Sequence, residues 1–244
     1  MKKKSLKKTP LVLLALSVTL LLASTVGSTR AALTYYSENF SAEVTVSNIG
    51  VTLMENGKAV GYRNYVSNGA WDESKGVLLE NMLEEDEKIT LGKDYEEKLS
   101  VQNSGSIDNY VRVTLRKSWQ DEEGKKTELS PELIELEVLE GSGWVIDESA
   151  STEERTVLYY TNVLPVGAET PAFTESISIN PMVGTKVIKT VVGDVVTYEH
   201  EYNGFKFVVE ADVDAVQTHN AADAIKSAWG VDVAVSANGS LSLR

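Results

Sequence analysis

His200 and His219 are the only imidazoles in the chain, and there is no cysteine to stand beside them. A common zinc peptidase sets two histidines one helical turn apart with a glutamate base between them. No His-Glu-x-x-His occurs here, and the two histidines fall in different predicted elements. A metal site would have to be assembled from His200, His219 and carboxylates such as Glu199 or Asp223. The plainer reading makes both surface or helix-start residues. Asp212 and Asp214 stand two apart in an alternating run, on one strand face, where they could hold calcium. A polar outer face accounts for that spacing equally well. Glu84-Glu85-Asp86-Glu87 and Asp121-Glu122-Glu123 read as solvated loops or loose cation sites, and no loop has EF-hand spacing. There is no Gly-x-Ser-x-Gly, and without cysteine neither thiol catalysis nor a thiolate metal site is open. In so acidic a chain, a glycosidase-like carboxylate pair is indistinguishable from a solvated face. Trp71, Trp119, Trp144 and Trp229 read as core or rim residues before a sugar platform. The expectation is a protein that is not an enzyme and has no cofactor, with calcium at Asp212 and Asp214 left open.

Strands must position these residues. Phe40, Ala42, Val44 and Val46 alternate with polar residues, and Ile49, Val51 and Leu53 continue after a one-residue shift at Asn48 that reads as a bulge. Glu55-Asn56-Gly57-Lys58 is a hairpin signal, and Asn68-Gly69 is another turn. Leu78, Leu79, Met82 and Leu83 have helical spacing and form the ambiguous segment. Further strands are expected around Leu99, residues 110–115, Ile134 to Val138 after a helical turn opened by Ser130-Pro131, Val157, and Phe173 to Ile179. A hairpin is expected at 187–202 about Gly193-Asp194, and the longest clean alternation runs from Phe205 to Val213. One helix is convincing: Asn220 as cap, an apolar stripe of Ala221, Ala224, Ile225 and Ala228, and Gly230 as stop. A last hairpin turns at Asn238-Gly239. About ten strands at short spacing predict an all-β fold, a β-sandwich or jelly roll with one short helix near the C-terminus.

Lysines 2–4, 7 and 8 precede an apolar stretch over 11–23 and then small residues as far as Ala31-Ala32. These are the regions of a cleavable signal peptide, with the cut after Ala31, between Ala31 and Ala32; a cut after Ala32 would set Arg30 three positions before it, which is unfavourable. An uncut membrane anchor is the competing reading, but about 13 apolar residues fall short of the roughly 20 that span a bilayer. The expected organisation is therefore a signal peptide at 1–31 and one β domain at 32–244, with inserted hairpins around 120–205. The expected location is secreted, at the cell surface or in an extracellular matrix, with a signal peptidase as partner and no stable membrane anchor after cleavage. The whole chain carries a formal charge of −13. Losing Arg30 and five lysines with the leader leaves 17 bases against 36 acids, about −19, which argues against nucleic acid or an anionic membrane as partner.

Several features in order resemble exported proteins of the TasA/camelysin type, Gram-positive proteins processed by a dedicated signal peptidase. Gly27-Ser28-Thr29-Arg30-Ala31-Ala32 looks like that family's processing junction, and a strand pair over 40–53 follows. Leu91-Gly92, then Leu99-Ser100-Val101-Gln102-Asn103-Ser104-Gly105, is similar to its glycine turn and a strand ending in Asn-x-Gly. Residues 210–217, then Ala224 to Trp229-Gly230, resemble its C-terminal strand and short Ala/Trp helix. Residues 120–205 depart from the pattern with extra hairpins.

The resemblance implies a jelly-roll subunit of the cell surface or biofilm matrix, and self-association into oligomers or fibres by donation of an N-terminal strand. The candidate donor is the new N-terminus over 33–46, with Leu33, Tyr35, Tyr36 and Phe40 as its apolar load. The same segment also reads as the first strand of its own domain, or as a tail. A monomeric surface adhesin or ligand-binding module is the alternative function, and a camelysin-like metallopeptidase the third.

Overall fold

The alternation noted above becomes an almost wholly β molecule. The structure is a computed structural model and describes residues 48–66, 70–84, 87–193 and 195–244. The expected leader, the junction at Ala31 and Ala32, and the candidate donor residues Leu33, Tyr35, Tyr36 and Phe40 lie outside these residues, as do the tips Asn68-Gly69 and Asp194.

One sheet has the order β3-β2-β1-β5, from Ala70–Ser74, Lys58–Val66, Gly50–Glu55 and Leu99–Asn103. A second has the order β14-β6-β10-β9, from Lys206–Gln217, Asn109–Asp121, Arg155–Tyr160 and Trp144–Ile146, with β7 (Gly124–Lys126) also on β6. A third joins β4 (Tyr95–Glu96), β11 (Thr174–Ile179) and β8 (Ile134–Val138). Two hairpins complete the set: β12 (Val187–Val192) with β13 (Val195–His200), and β15 (Val233–Val235) with β16 (Leu241–Leu243). Every ladder among the described residues is antiparallel. Among the described residues sixteen strands stand where about ten were expected, and most of the excess consists of two- and three-residue pieces.

Local chemistry explains the joins. Asn56 and Gly57 both have positive φ (49° and 76°), the twist that lets a two-residue turn link β1 to β2. Ser130 accepts a hydrogen bond from Glu132 N at 3.3 Å and Pro131 opens a single 3-10 turn, Pro131–Leu133, as the sequence predicts. The bulge falls between Leu53 and Met54. The segment with helical spacing, Leu78 to Leu83, is a turn and not a helix. Leu79 sits at φ 65°, and its N–H donates to Glu55 Oε1 at 2.6 Å. The leucines face the core from a loop, so their spacing records burial without helical backbone.

The helix α1 spans Ala221–Trp229 and ends on Gly230, whose N–H bonds Lys226 O. Its start corrects one expectation. Asn220 is left-handed (φ 50°) and its side chain makes no capping bond; its carbonyl instead accepts from Ala224 N at 3.0 Å. The left-handed backbone turns the side chain away from the first-turn N–H groups.

The inward residues of the first two sheets meet in one core. Val51, Leu53, Leu99 and Val101 pack with Val111, Val113, Leu115 and Leu158, closed by Trp144 and Phe173. A second cluster centres on Trp119, Ile134, Ile177 and Tyr202. A third seats Ile225 of α1 on Tyr110, Val157 and Tyr159, the outer face of the second sheet. These residues belong to one compact unit, Val46–Arg244. Among the described residues no helix is long and apolar enough to cross a membrane.

Candidate functional site

β14 is the strand on which most of the candidate chemistry stands. It pairs with β6 over its whole length, from Lys206 opposite Gln120 to Gln217 opposite Asn109. Among the described residues it has no ladder on its other side, so it is a twelve-residue edge. An edge of that length offers a row of main-chain donors and acceptors to an added strand. Its alternation sends Phe207, Val209, Ala211 and Val213 toward the core, and only Val209 of these is fully buried.

Beside this edge lies an open groove of about 1390 Å³. Val51 and Leu53 form its floor, Leu79, Met82 and Leu83 one wall, and Val209 to Val213 the other. The core is therefore accessible along β14, where a neighbouring strand would otherwise cover it. Val60, Gly61 and Tyr62 of β2 form the far rim.

The acidic face of β14 has other occupants than a cation. Asp214 is bound by Arg63 of β2 and by Arg112 Nη2 of β6, the latter at 2.6 Å. Asp212 is bound by Arg116. The two aspartates do share one face, as their spacing predicts, but guanidinium groups take the oxygens that a calcium ion would need. Arg63 also lies over Trp71, 4.6 Å from the ring centroid. His200 ends β13 and His219 follows β14; both are exposed, as are Glu199 and Asp223. Among the described residues no three histidines or carboxylates gather as a metal site.

Described acids of both acidic runs have lysine partners. Glu87 bonds Lys93 Nζ at 2.8 Å, and Lys126 lies 2.7 Å from Asp121 and 3.4 Å from Glu123. Trp119 and Trp144 are buried, Trp229 is half-buried and Trp71 is exposed.

Two features escaped the sequence reading. The first is Glu97, which is only 1% exposed and whose Oε1 makes no hydrogen bond. Burial first, and Glu55 second, raise its carboxyl to about 8. A signal was present: Glu97 stands midway between Tyr95 and Leu99, both inward, so alternation carries it inside. The second is the β12–β13 hairpin, in which every residue is exposed on both faces. Val191, Val192, Val195 and Val196 crowd its tip and Tyr198 its flank. Period-2 alternation of apolar residues predicts a half-buried strand, and no signal in the segment itself says that neither face is covered.

Compared with protein-family models, with curated proteins and with solved structures, the chain matches none.

Proposed function

We propose that this chain is an exported, non-enzymatic structural component of the cell surface or biofilm matrix, and that its subunits associate by strand addition. The observation that carries this reading is the twelve-residue edge of β14, unpaired on one side among the described residues, beside an open groove that reaches the apolar side chains of Val51 and Leu53. A strand laid along β14 would satisfy its outward amides and place alternate side chains in the groove. The sequence supplies a strand of that pattern at 33–46, where Phe40, Ala42, Val44 and Val46 alternate with polar residues. In the proposed assembly, this segment of one copy enters the groove of the next, with Leu33, Tyr35 and Tyr36 extending the apolar load. Two antiparallel sheets sharing one core are also what a jelly-roll-like β-sandwich subunit of the TasA/camelysin type would contain. The lysine-rich leader, cut between Ala31 and Ala32, accounts for export.

The test compares two chains by size-exclusion chromatography and negative-stain microscopy. One begins at Ala32 and the other at Ser47. Filaments or large oligomers from the first, lost in a still-folded second, support strand donation. A synthetic peptide of residues 33–46 is expected to bind the shorter chain and block growth of the longer. A monomeric first chain that leaves the peptide unbound overturns the reading in favour of a surface-binding module. Cleavage of casein that a chelator abolishes would move the protein to the peptidases.

A further inference from the structure

The outer face of the second sheet carries a cluster of arginines that reaches beyond the β14 groove. Arg112, Thr114 and Arg116 alternate along β6 and so share one face. The register with β10 sets Arg155 directly opposite Arg116, Val157 opposite Thr114, and Tyr159 opposite Arg112. Two guanidinium groups therefore face each other across adjacent strands, an arrangement that is destabilising unless an anion lies between them.

Among the described residues the ion pairs to these arginines come from one flank. Asp212 and Asp214 hold Arg116 and Arg112 from the β14 side. On the other flank, Arg155 makes no ion pair among the described residues; its Nε donates to Ala150 O at 2.9 Å. Glu154, its neighbour in the chain, is held by Lys125. Arg112 Nε is buried and makes no hydrogen bond. A cavity of about 410 Å³ opens over these three arginines, walled by Tyr159 and Trp229. The one acid in its lining, Asp147, is committed to its own loop: Oδ1 accepts from Ser149 N at 3.0 Å, Ser149 Oγ at 2.6 Å and Ala150 N at 3.2 Å. The chain has 36 acids against 23 bases, so three arginines converging on one cavity run against its overall charge.

We propose that this cavity binds an oxyanion carried on a sugar ring, the carboxylate or phosphate of an acidic polysaccharide. Planar guanidinium forks match carboxylate and phosphate oxygens in pairs. The Trp229 ring, with Arg112 5.3 Å from its centroid, supplies an apolar wall of the kind that the C–H face of a sugar covers. The volume suits one or two rings, and a polymer would add affinity by engaging many subunits. Arg112 and Arg116 also line the groove beside β14, whereas Arg155, Tyr159 and Trp229 line this cavity alone, so Arg155 variants test it apart from the proposed assembly.

The test titrates the folded chain beginning at Ala32 with glucuronate, glucose 6-phosphate, inorganic phosphate and glucose, read by calorimetry and by the indole resonance of Trp229. Glucuronate or glucose 6-phosphate is expected to bind with Kd of about 1 mM and to shift that resonance, while glucose does not. The tighter of the two sugars identifies the polymer as carboxylated or phosphorylated. Arg155→Gln and Arg116→Gln are each expected to weaken binding about fivefold or more, with Arg155→Lys retaining part of it. Arg155 is exposed, so its variants are expected to keep the parent's circular dichroism and unfolding midpoint. Three results would overturn the proposal: no binding by either anionic sugar up to roughly 50 mM, inorganic phosphate binding as tightly as both sugars, or affinity unchanged in the arginine variants.

Discussion

The buried carboxyl of Glu97 meets that of Glu55: Glu97 stands two residues before Leu99 of β5, and Leu99 is the register partner of Glu55 in the β1–β5 ladder. Burial and the second carboxyl together hold Glu97 protonated to about pH 8, well above its ordinary 4.5. A carboxyl raised on folding contributes stability that is fully present below 4.5 and is lost as pH rises through about 8. Urea midpoints are therefore expected to fall between about pH 5 and about pH 9. Glu97→Gln keeps the shape without the charge, so it should flatten this slope and stabilise the protein by about 1–3 kcal/mol above pH 8. A midpoint that rises across this range in the parent, or an identical slope in the variant, would contradict the assignment.

Asn103 is the polar hinge of the β5 end. Its Nδ2 donates to Ile107 O and Leu164 O, both at 2.9 Å, and its Oδ1 accepts from Gly105 N at 2.9 Å. The residue is 1% exposed, so Asn103→Ala removes three hydrogen bonds from a buried corner, leaving Gly105 N on Gly50 O and Leu164 O on Asn109 N. A loss of about 2–4 kcal/mol is expected in urea unfolding. Gly105 completes the motif because a Cβ there would come within 2.6 Å of Gly50 N; Gly105→Ala should cost a comparable amount. Variants of either residue that unfold like the parent would show that this corner yields freely.

Much of this corner was legible in the sequence, and the reasons differ by residue. Asn-x-Gly after an apolar strand marks a turn because both residues are suited to tight backbone. Asn56-Gly57 is read for the same reason, and the alternation through β14 because one strand face is drier than the other. Leu78 to Leu83 was ambiguous because burial alone can produce helical spacing in a loop. Asn220 misled because cap residues are chosen by side-chain reach, and its left-handed backbone removes that reach. The facing of Arg116 and Arg155 was invisible, since it depends on which strands pair and in what register. So did the free edge of β14: a clean alternation reports what lies above and below a strand, not what lies beside it.

Asp214 and Asp212 separate a structural role from a metal site. Asp214 is about one-fifth exposed and bridges Arg63 and Arg112, whereas the Asp212 side chain is 53% exposed and meets Arg116 alone. Asp214→Ala leaves the partly buried Arg112 without its anion and Arg63 with only Glu73, 3.6 Å away, and is expected to cost about 1–3 kcal/mol. Asp212→Ala, a surface pair, is expected to cost less than about 1 kcal/mol. Calcium should leave the thermal midpoint of the parent unchanged. A calcium-dependent rise that both variants abolish would restore the two aspartates as cation ligands.

The β12–β13 hairpin stands on its own ladder, Val187 opposite His200 to Val192 opposite Val195, and pairs with no other strand among the described residues. A two-stranded ribbon has little stability by itself, and exposed valines on both faces favour contact with another surface. Val192 and Val195, 72% and 65% exposed, pack against no core cluster. Val192→Lys and Val195→Lys together are therefore expected to leave the unfolding midpoint within about 0.5 kcal/mol of the parent while lowering dye binding and light scattering at high protein concentration. Hydrogen exchange should find the amides of β12 and β13 open long before those of β6. A double variant destabilised by more than about 1 kcal/mol, with slow exchange in the hairpin, would show that the ribbon is packed in the folded monomer and is not a contact surface.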